Sequence, residues 1–180
     1  MKKTALLLAV FVFCAAMAFA AGPITGEWSG ENDSGDGGTS TITMTQTTMD
    51  GMPAYRFVGK VTQTGYEWSY VNAQLRPDAD SKKAMGSARA VSFKVRGNGE
   101  KYWFCIGTTD VKDWGYHRYS FQTTAGETTT VRVPINLMRQ PDWALAKRLQ
   151  LVNTDYIQWN NFTSGAPSDF ELTIWDVKFE

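Results

Sequence analysis

The sequence predicts an all-β protein, a two-sheet antiparallel β-sandwich with jelly-roll connections. Three observations lead there. Short runs of alternating apolar and polar residues recur along the chain. Gly, Asn, Asp and Thr-Gly punctuation separates them at short intervals. Only two brief stretches have helical spacing. About nine short strands divided by turns fit a sandwich better than any helical or α/β arrangement.

In chain order, residues 1–20 read as an export signal outside the fold. Met1-Lys2-Lys3 is a cationic start, residues 4–19 are apolar, and Ala18-Phe19-Ala20 offers the small residues that cleavage needs. The apolar run falls short of the ~20 residues of a spanning helix, and bulky Phe13 before Cys14 argues against lipidation. The expected organisation is a cleaved signal, 1–20, and one sandwich domain, 21–180, secreted or periplasmic and without membrane insertion after cleavage.

Residues 31–38 are all small, polar or acidic, and form a loop. Ile42 and Met44 then alternate with Thr41, Thr43 and Thr45 in a Thr-rich strand. Residues 55–63 and 68–74 are the next two runs, divided by Thr64-Gly65. Val91, Phe93 and Val95 lead into Gly97-Asn98-Gly99, read as a hairpin-type turn, with Tyr102, Phe104 and Ile106 beyond it. Tyr119 and Phe121, Val131 and Val133, and Ile157 and Trp159 mark three more strands. In the last run, 170–179, Phe170, Leu172 and Ile174 share one parity while Val177 and Phe179 have the other. That phase change requires an extra residue, so a β-bulge is expected near Trp175-Asp176. Residues 142–151 have the spacing of a helical turn or two, and 81–85 that of a smaller one.

Composition narrows the function. Lys plus Arg and Asp plus Glu tie at 18 each, and loss of Lys2 and Lys3 with the signal leaves 16 against 18. Near-neutrality argues against nucleic acid as a partner. One histidine and, after cleavage, one cysteine exclude an internal disulfide and a Cys/His zinc site. Seven Trp and seven Tyr are the informative excess.

Residues 33–40 (DSGDGGTS) follow a D-x-x-x-G-G-x-S pattern. Behind it come 56–61 (RFVGKV), 91–102 (VSFKVRGNGEKY), 119–123 (YSFQT), 130–134 (TVRVP) and 169–179 (DFELTIWDVKF). Together these resemble the complex I intermediate-associated protein 30 family over roughly residues 28–179. They are similar, too, to family 11 carbohydrate-binding modules, which share a galactose-binding-like jelly roll. The mitochondrial members act as respiratory-complex assembly factors, a role that an exported chain does not fit. The resemblance therefore implies a polysaccharide or oligosaccharide ligand, and as the alternative an envelope or secreted protein partner. It also implies a structural calcium (Ca2+) between an N-terminal loop and the last strand. Asp33, Asp36 and Asp176 are the candidate oxygen ligands, Asp176 because of the bulge.

Strand parity supplies the candidate binding face. With Tyr102, Phe104 and Ile106 inward, Trp103 and Cys105 point out. Tyr116, Arg118, Ser120 and Gln122 do so on the next strand, as do Tyr156, Gln158 and Asn160 on another. Pyranose rings lay C–H patches on aromatic faces while their hydroxyls need fixed donors and acceptors. Trp103, Tyr116, Tyr156 and Trp68 are the expected stacking residues, and Arg118, Gln158 and Asn160 the expected hydrogen-bonding residues for a β-glucan-like chain. Trp28, Trp159 and Trp175 read as packing residues, and Trp143 as a cover for one end of the sandwich. Trp114 reads equally as a groove lip or a loop plug. Enzyme activity is not expected: there is no nucleophile elbow, parity puts Cys105 and His117 on opposite faces, and nothing marks a carboxylate pair.

Overall fold

The computed structural model describes residues 22–162 and 166–180, so the expected export signal lies outside the described residues. Its strands are β1 (Gly22–Pro23), β2 (Gly26–Asn32), β3 (Thr41–Met49), β4 (Met52–Val61), β5 (Val71–Pro77), β6 (Ala90–Gly97), β7 (Lys101–Thr108), β8 (His117–Gln122), β9 (Thr128–Pro134), β10 (Thr154–Asn161) and β11 (Ser168–Phe179). One short helix, α1, spans Ala79–Met85. One sheet runs β3-β4-β11-β6-β9 with β1 paired to β11, and the other runs β2-β5-β10-β7-β8. Every strand pairing within them is antiparallel. This is the expected jelly-roll sandwich. Among the described residues no helix is long and apolar enough to cross a membrane.

Alternation sorts the side chains as the period-two pattern requires. Tyr102, Phe104 and Ile106 from β7 meet Phe93 and Val95 from β6 and Leu172 and Ile174 from β11 in one buried core. Trp159 is fully buried. Trp28 stacks on it at 5.4 Å and on Tyr55 at 4.7 Å, while Phe93 and Phe104 meet Trp159 edge-on. Aromatic clusters of this kind add directional preference to area burial, which fixes how the two sheets pack.

The bulge is where the phase change puts it. Trp175 faces Lys94 and Lys178 faces Ser92, so Asp176 and Val177 share one residue of β6, and Asp176 has φ 52°. The helix over 79–85 also matches. Its cap is Asp78, which accepts from the Ser81 amide at 2.8 Å.

Three expectations change. Gly97-Asn98-Gly99 is not a hairpin turn, because β6 and β7 belong to different sheets. It is a corner, pinned by Asn98, which accepts from the Tyr102 hydroxyl at 2.6 Å and donates to the Asp169 carbonyl at 3.2 Å. The tight hairpin is instead at Asp50-Gly51 between β3 and β4, with φ 51° and 74°, the signature of a two-residue primed turn. Trp68 is not on a strand, since β5 starts at Val71. Residues 142–151 are not helical. The amides that a helix would use are taken from outside, Leu145 N–H by Asp113 at 2.7 Å and Lys147 N–H by Gln140 at 2.6 Å.

Candidate functional site

The outer face of the five-stranded sheet carries three transverse rows. One reads Ser29, Gln74, Gln158, Cys105, Arg118. The row on one side reads Glu31, Asn72, Asn160, Trp103, Ser120, and on the other side Glu27, Arg76, Tyr156 and Gly107. Gly107 is a structural necessity there, because a Cβ would overlap the Tyr156 ring that lies across it. Tyr156 thereby reaches Tyr116, edge-on at 5.3 Å. Burial and the neighbouring Tyr116 raise the Tyr156 phenol above its ordinary value.

A cavity of about 150 Å³ opens on this face. The face supplies Trp103, Tyr116, Arg118 and Asn160, all expected from parity. Tyr70, from the segment before β5, and Phe162, just beyond β10, add further rings. The Asn160 Oδ1 is buried with no hydrogen-bond partner. On the same face, Asn72 Oδ1 and Gln74 Nε2 are likewise unpaired, although Gln74 accepts from Gln158 at 2.8 Å. Each orphan amide atom is costly in the free protein and gains on meeting a hydroxyl or water.

The most exposed rings at the mouth come from two loops. Trp114, between β7 and β8, is 76% exposed, and Trp143, between β9 and β10, is 67% exposed. Their loops are fastened together. Asp113 accepts from the Gly115 amide at 3.1 Å and from Leu145 at 2.7 Å, and these two amides hold its carboxyl below the usual carboxylate range. Gln140 donates to the Gly115 carbonyl at 2.6 Å, and Arg139 exchanges backbone hydrogen bonds with Arg118 on the β8 edge. Gly115 packs so tightly on Ala144 that a Cβ would overlap the Ala144 methyl. Trp114 itself sits at φ 59°, an uncommon conformation for a bulky residue and a sign that the loop over-determines it. Gly115→Val is expected to part the two loops and weaken ligand binding about tenfold with the core melt little changed. Unaltered affinity in a titration would show that the clip does not position the rings.

His117 begins β8 and is buried. Burial outweighs the opposing influence of the Lys147 backbone and lowers its imidazole below the ordinary 6.5, so it stays neutral in the fold. The unfolded chain takes up that proton first. His117's contribution is therefore complete above 6.5 and disappears as pH falls through the lower folded value. The melting temperature is expected to drop between pH ~7 and pH ~5, and to drop less in His117→Gln. Equal slopes for both proteins would show that His117 is not the group responsible.

The structure splits the other expected residues. Tyr156 lies behind Tyr116, Gln158 is buried against Gln74, and Trp68 is exposed on the turn before β5; none of the three lines the cavity. Trp103 lines it with an edge. Phe162 stacks on its ring at 4.7 Å and the Arg118 guanidinium lies 4.4 Å over it. By register Phe162 sits toward Lys101 and Arg118 toward Cys105, so they cover opposite faces. Sequence reasoning misses Tyr70, Trp143 and Phe162. The helical spacing of its segment hides Trp143, and Tyr70 shares the parity that draws attention to Trp68. Cys105 is a free buried thiol whose pKa burial pushes up to about 12, leaving it protonated and inert.

The calcium set is a correction. Asp33 and Asp36 lie beyond β2 at the end of the sandwich where β11 starts, and Asp176 is near the other end of β11, bonded to Lys178 at 2.9 Å. About eight residues of strand separate the ends, roughly 26 Å at ~3.3 Å per residue. Among the described residues no three His, Cys, Asp or Glu side chains cluster as a metal site. Asp33 instead organises its own loop. Buried, it accepts from the Ser40 amide at 2.9 Å, the Ser40 hydroxyl at 2.7 Å and the Tyr70 amide at 3.3 Å. The glycines of its signature fit that role, Gly37 by φ 89° and Gly38 because a Cβ would overlap the Asp33 carboxylate.

Known proteins share this architecture. A family 11 carbohydrate-binding module from Clostridium thermocellum, in complex with a β-1,3-1,4-mixed-linked tetrasaccharide, is similar at 16% identity and TM-score 0.62, over 84% of this chain and 87% of that one. The family 11 module of the cellulosomal cellulase Lic26A-Cel5E of the same organism gives 16% and 0.60, over 84% and 86%. An exo-β-agarase gives 10% and 0.51, over 78% of this chain but 23% of that one. No curated protein matches. These likenesses establish the jelly-roll fold. The profile of Complex I intermediate-associated protein 30 (CIA30) matches residues 17–174, nearly the whole chain, and the protein belongs to that family.

Proposed function

We propose that this protein is a non-catalytic, exported binder of a β-linked, glucan-like polysaccharide, which it takes across the outer face of the five-stranded sheet. The observation that carries this reading is the pairing of exposed Trp114 and Trp143 rings with the half-buried polar side chains of Arg118 and Asn160 in one cavity. Flat C–H faces meet the rings, and sugar hydroxyls meet the polar groups beside them. A cavity of about 150 Å³ is too small to engulf a ligand and suits a chain lying across it. Net hydrogen bonds to sugars are worth only ~1 kcal/mol each, so affinities of roughly micromolar to millimolar are expected. Among the described residues no Asp or Glu lines the cavity, and Cys105 is protonated, which supports binding without catalysis.

Family membership supports a second reading, in which the same face docks an envelope or secreted protein. Affinity electrophoresis on gels containing β-linked polysaccharides separates the two. The saccharide reading predicts retardation of wild type that is lost in Trp114→Ala/Trp143→Ala. Free migration on every gel, with a stoichiometric protein co-purifying, favours docking.

A further inference from the structure

We propose that the saccharide taken by this site is acidic, a chain bearing uronic-acid carboxylates, and that Arg118 is the group that reads the carboxylate. The proposal rests on the saccharide reading above and specifies its ligand class.

Among the described residues, five ion pairs place Arg56, Arg76, Lys94, Arg132 and Lys178 against carboxylates. Arg118 is in none of them, although it is half-buried inside the cavity, where a guanidinium is ordinarily paired. Among the described residues no carboxylate pairs with it. Asp36 meets the wall through the Tyr70 hydroxyl at 3.3 Å, and Asp113 faces the amides of Gly115 and Leu145. What Arg118 has is the Trp103 face at 4.4 Å, which steadies the cation while leaving its donor fork unfilled. One ring further along the stack, Lys101 lies 4.2 Å over Phe162, also without a carboxylate partner among the described residues. Arg118, Trp103, Phe162 and Lys101 thus form a strip with a cation at each end. This sits on a chain with no overall excess of basic residues, 18 against 18 acidic ones.

A neutral chain laid over this strip would strip water from Arg118 and return no opposite charge. A carboxylate returns two parallel charge-assisted hydrogen bonds in the geometry that the guanidinium fork matches. The pyranose ring of a uronate keeps the C–H face that Trp114 and Trp143 require. Discrimination then arises as much from the unpaired cation left by neutral chains as from attraction to acidic ones. A sulfate ester shares the anionic chemistry and lacks the planar fit.

Calorimetric titration of the whole protein with a β-1,4-linked hexaglucuronate (C6-oxidised cellohexaose), the same hexamer carboxyl-reduced, and a sulfated neutral hexamer tests this. The acidic hexamer is expected to bind about tenfold more tightly than its reduced form, with the preference shrinking in added salt. In Arg118→Gln the ratio should fall below about threefold, and in Arg118→Lys, which keeps charge without the fork, to an intermediate value. Circular dichroism establishes that both variants fold. Equal or tighter binding of the reduced hexamer overturns the acidic assignment and leaves the saccharide reading standing. Tighter binding of the sulfated hexamer overturns the uronate. Binding to none of the three, nor to any polysaccharide gel, removes the saccharide reading itself.

Discussion

Asp33→Ala is expected to cost about 3 kcal/mol of stability. The carboxylate is buried and organises three donors, the Ser40 amide, the Ser40 hydroxyl and the Tyr70 amide. Truncation leaves these donors facing a hole that Gly38 cannot fill. For a domain of this size each kcal/mol moves the melting temperature by ~2–4 °C, so a fall near ~10 °C is expected in a thermal melt. Asp36→Ala is the matched control: in the same loop and exposed, with one 3.3 Å bond to the Tyr70 hydroxyl, it should change stability by less than about 0.5 kcal/mol. Similar melts for the two would show that the signature does not act as a lock. The lock also bears on the site, because Tyr70 borders the cavity and its amide is one of the donors.

Trp114→Ala combined with Trp143→Ala is expected to weaken saccharide binding about 100-fold, roughly tenfold for each ring. Both side chains are mostly exposed, so the loss falls on binding and leaves folding alone. The contrast is Trp103→Ala. That ring already has Phe162 on one face and Arg118 over the other, and its N–H donates to the Phe162 carbonyl at 2.9 Å. Its removal should unseat Arg118 and Phe162 and lower both stability and affinity. If the double variant binds as wild type does, the exposed indoles are not the stacking platform.

The fold is legible in the sequence because period two acts locally. Which neighbours Tyr102, Phe104 and Ile106 meet does not affect which way they point, and the bulge at Asp176 follows from parity alone. Connectivity is not legible in the same way: Gly97-Asn98-Gly99 has the residues of a hairpin turn, and only the assignment of β6 and β7 to separate sheets makes it a corner. The site divides along the same line. Parity finds Trp103, Tyr116, Arg118 and Asn160, which are on or beside strands. It misses Trp143, because the loop conformation is set by Asp113 and Gln140 from other parts of the chain. Asp33 is legible as a loop carboxylate but not in its partner, since a carboxylate buried against amides and one offered to a metal share the same sequence signature.

Whether the ligand meets the outer face of the five-stranded sheet at the Trp114–Trp143 mouth is tested most directly by indole N–H resonances. These are assigned by single substitution and followed by two-dimensional NMR during titration with a bound hexasaccharide. Trp114 and Trp143 should shift in a saturable manner, with Trp103 following, while the core-packed Trp28, Trp159 and Trp175 stay in place. Saturable shifts confined to Trp68 or to Trp175, with Trp114 and Trp143 unmoved, would contradict it.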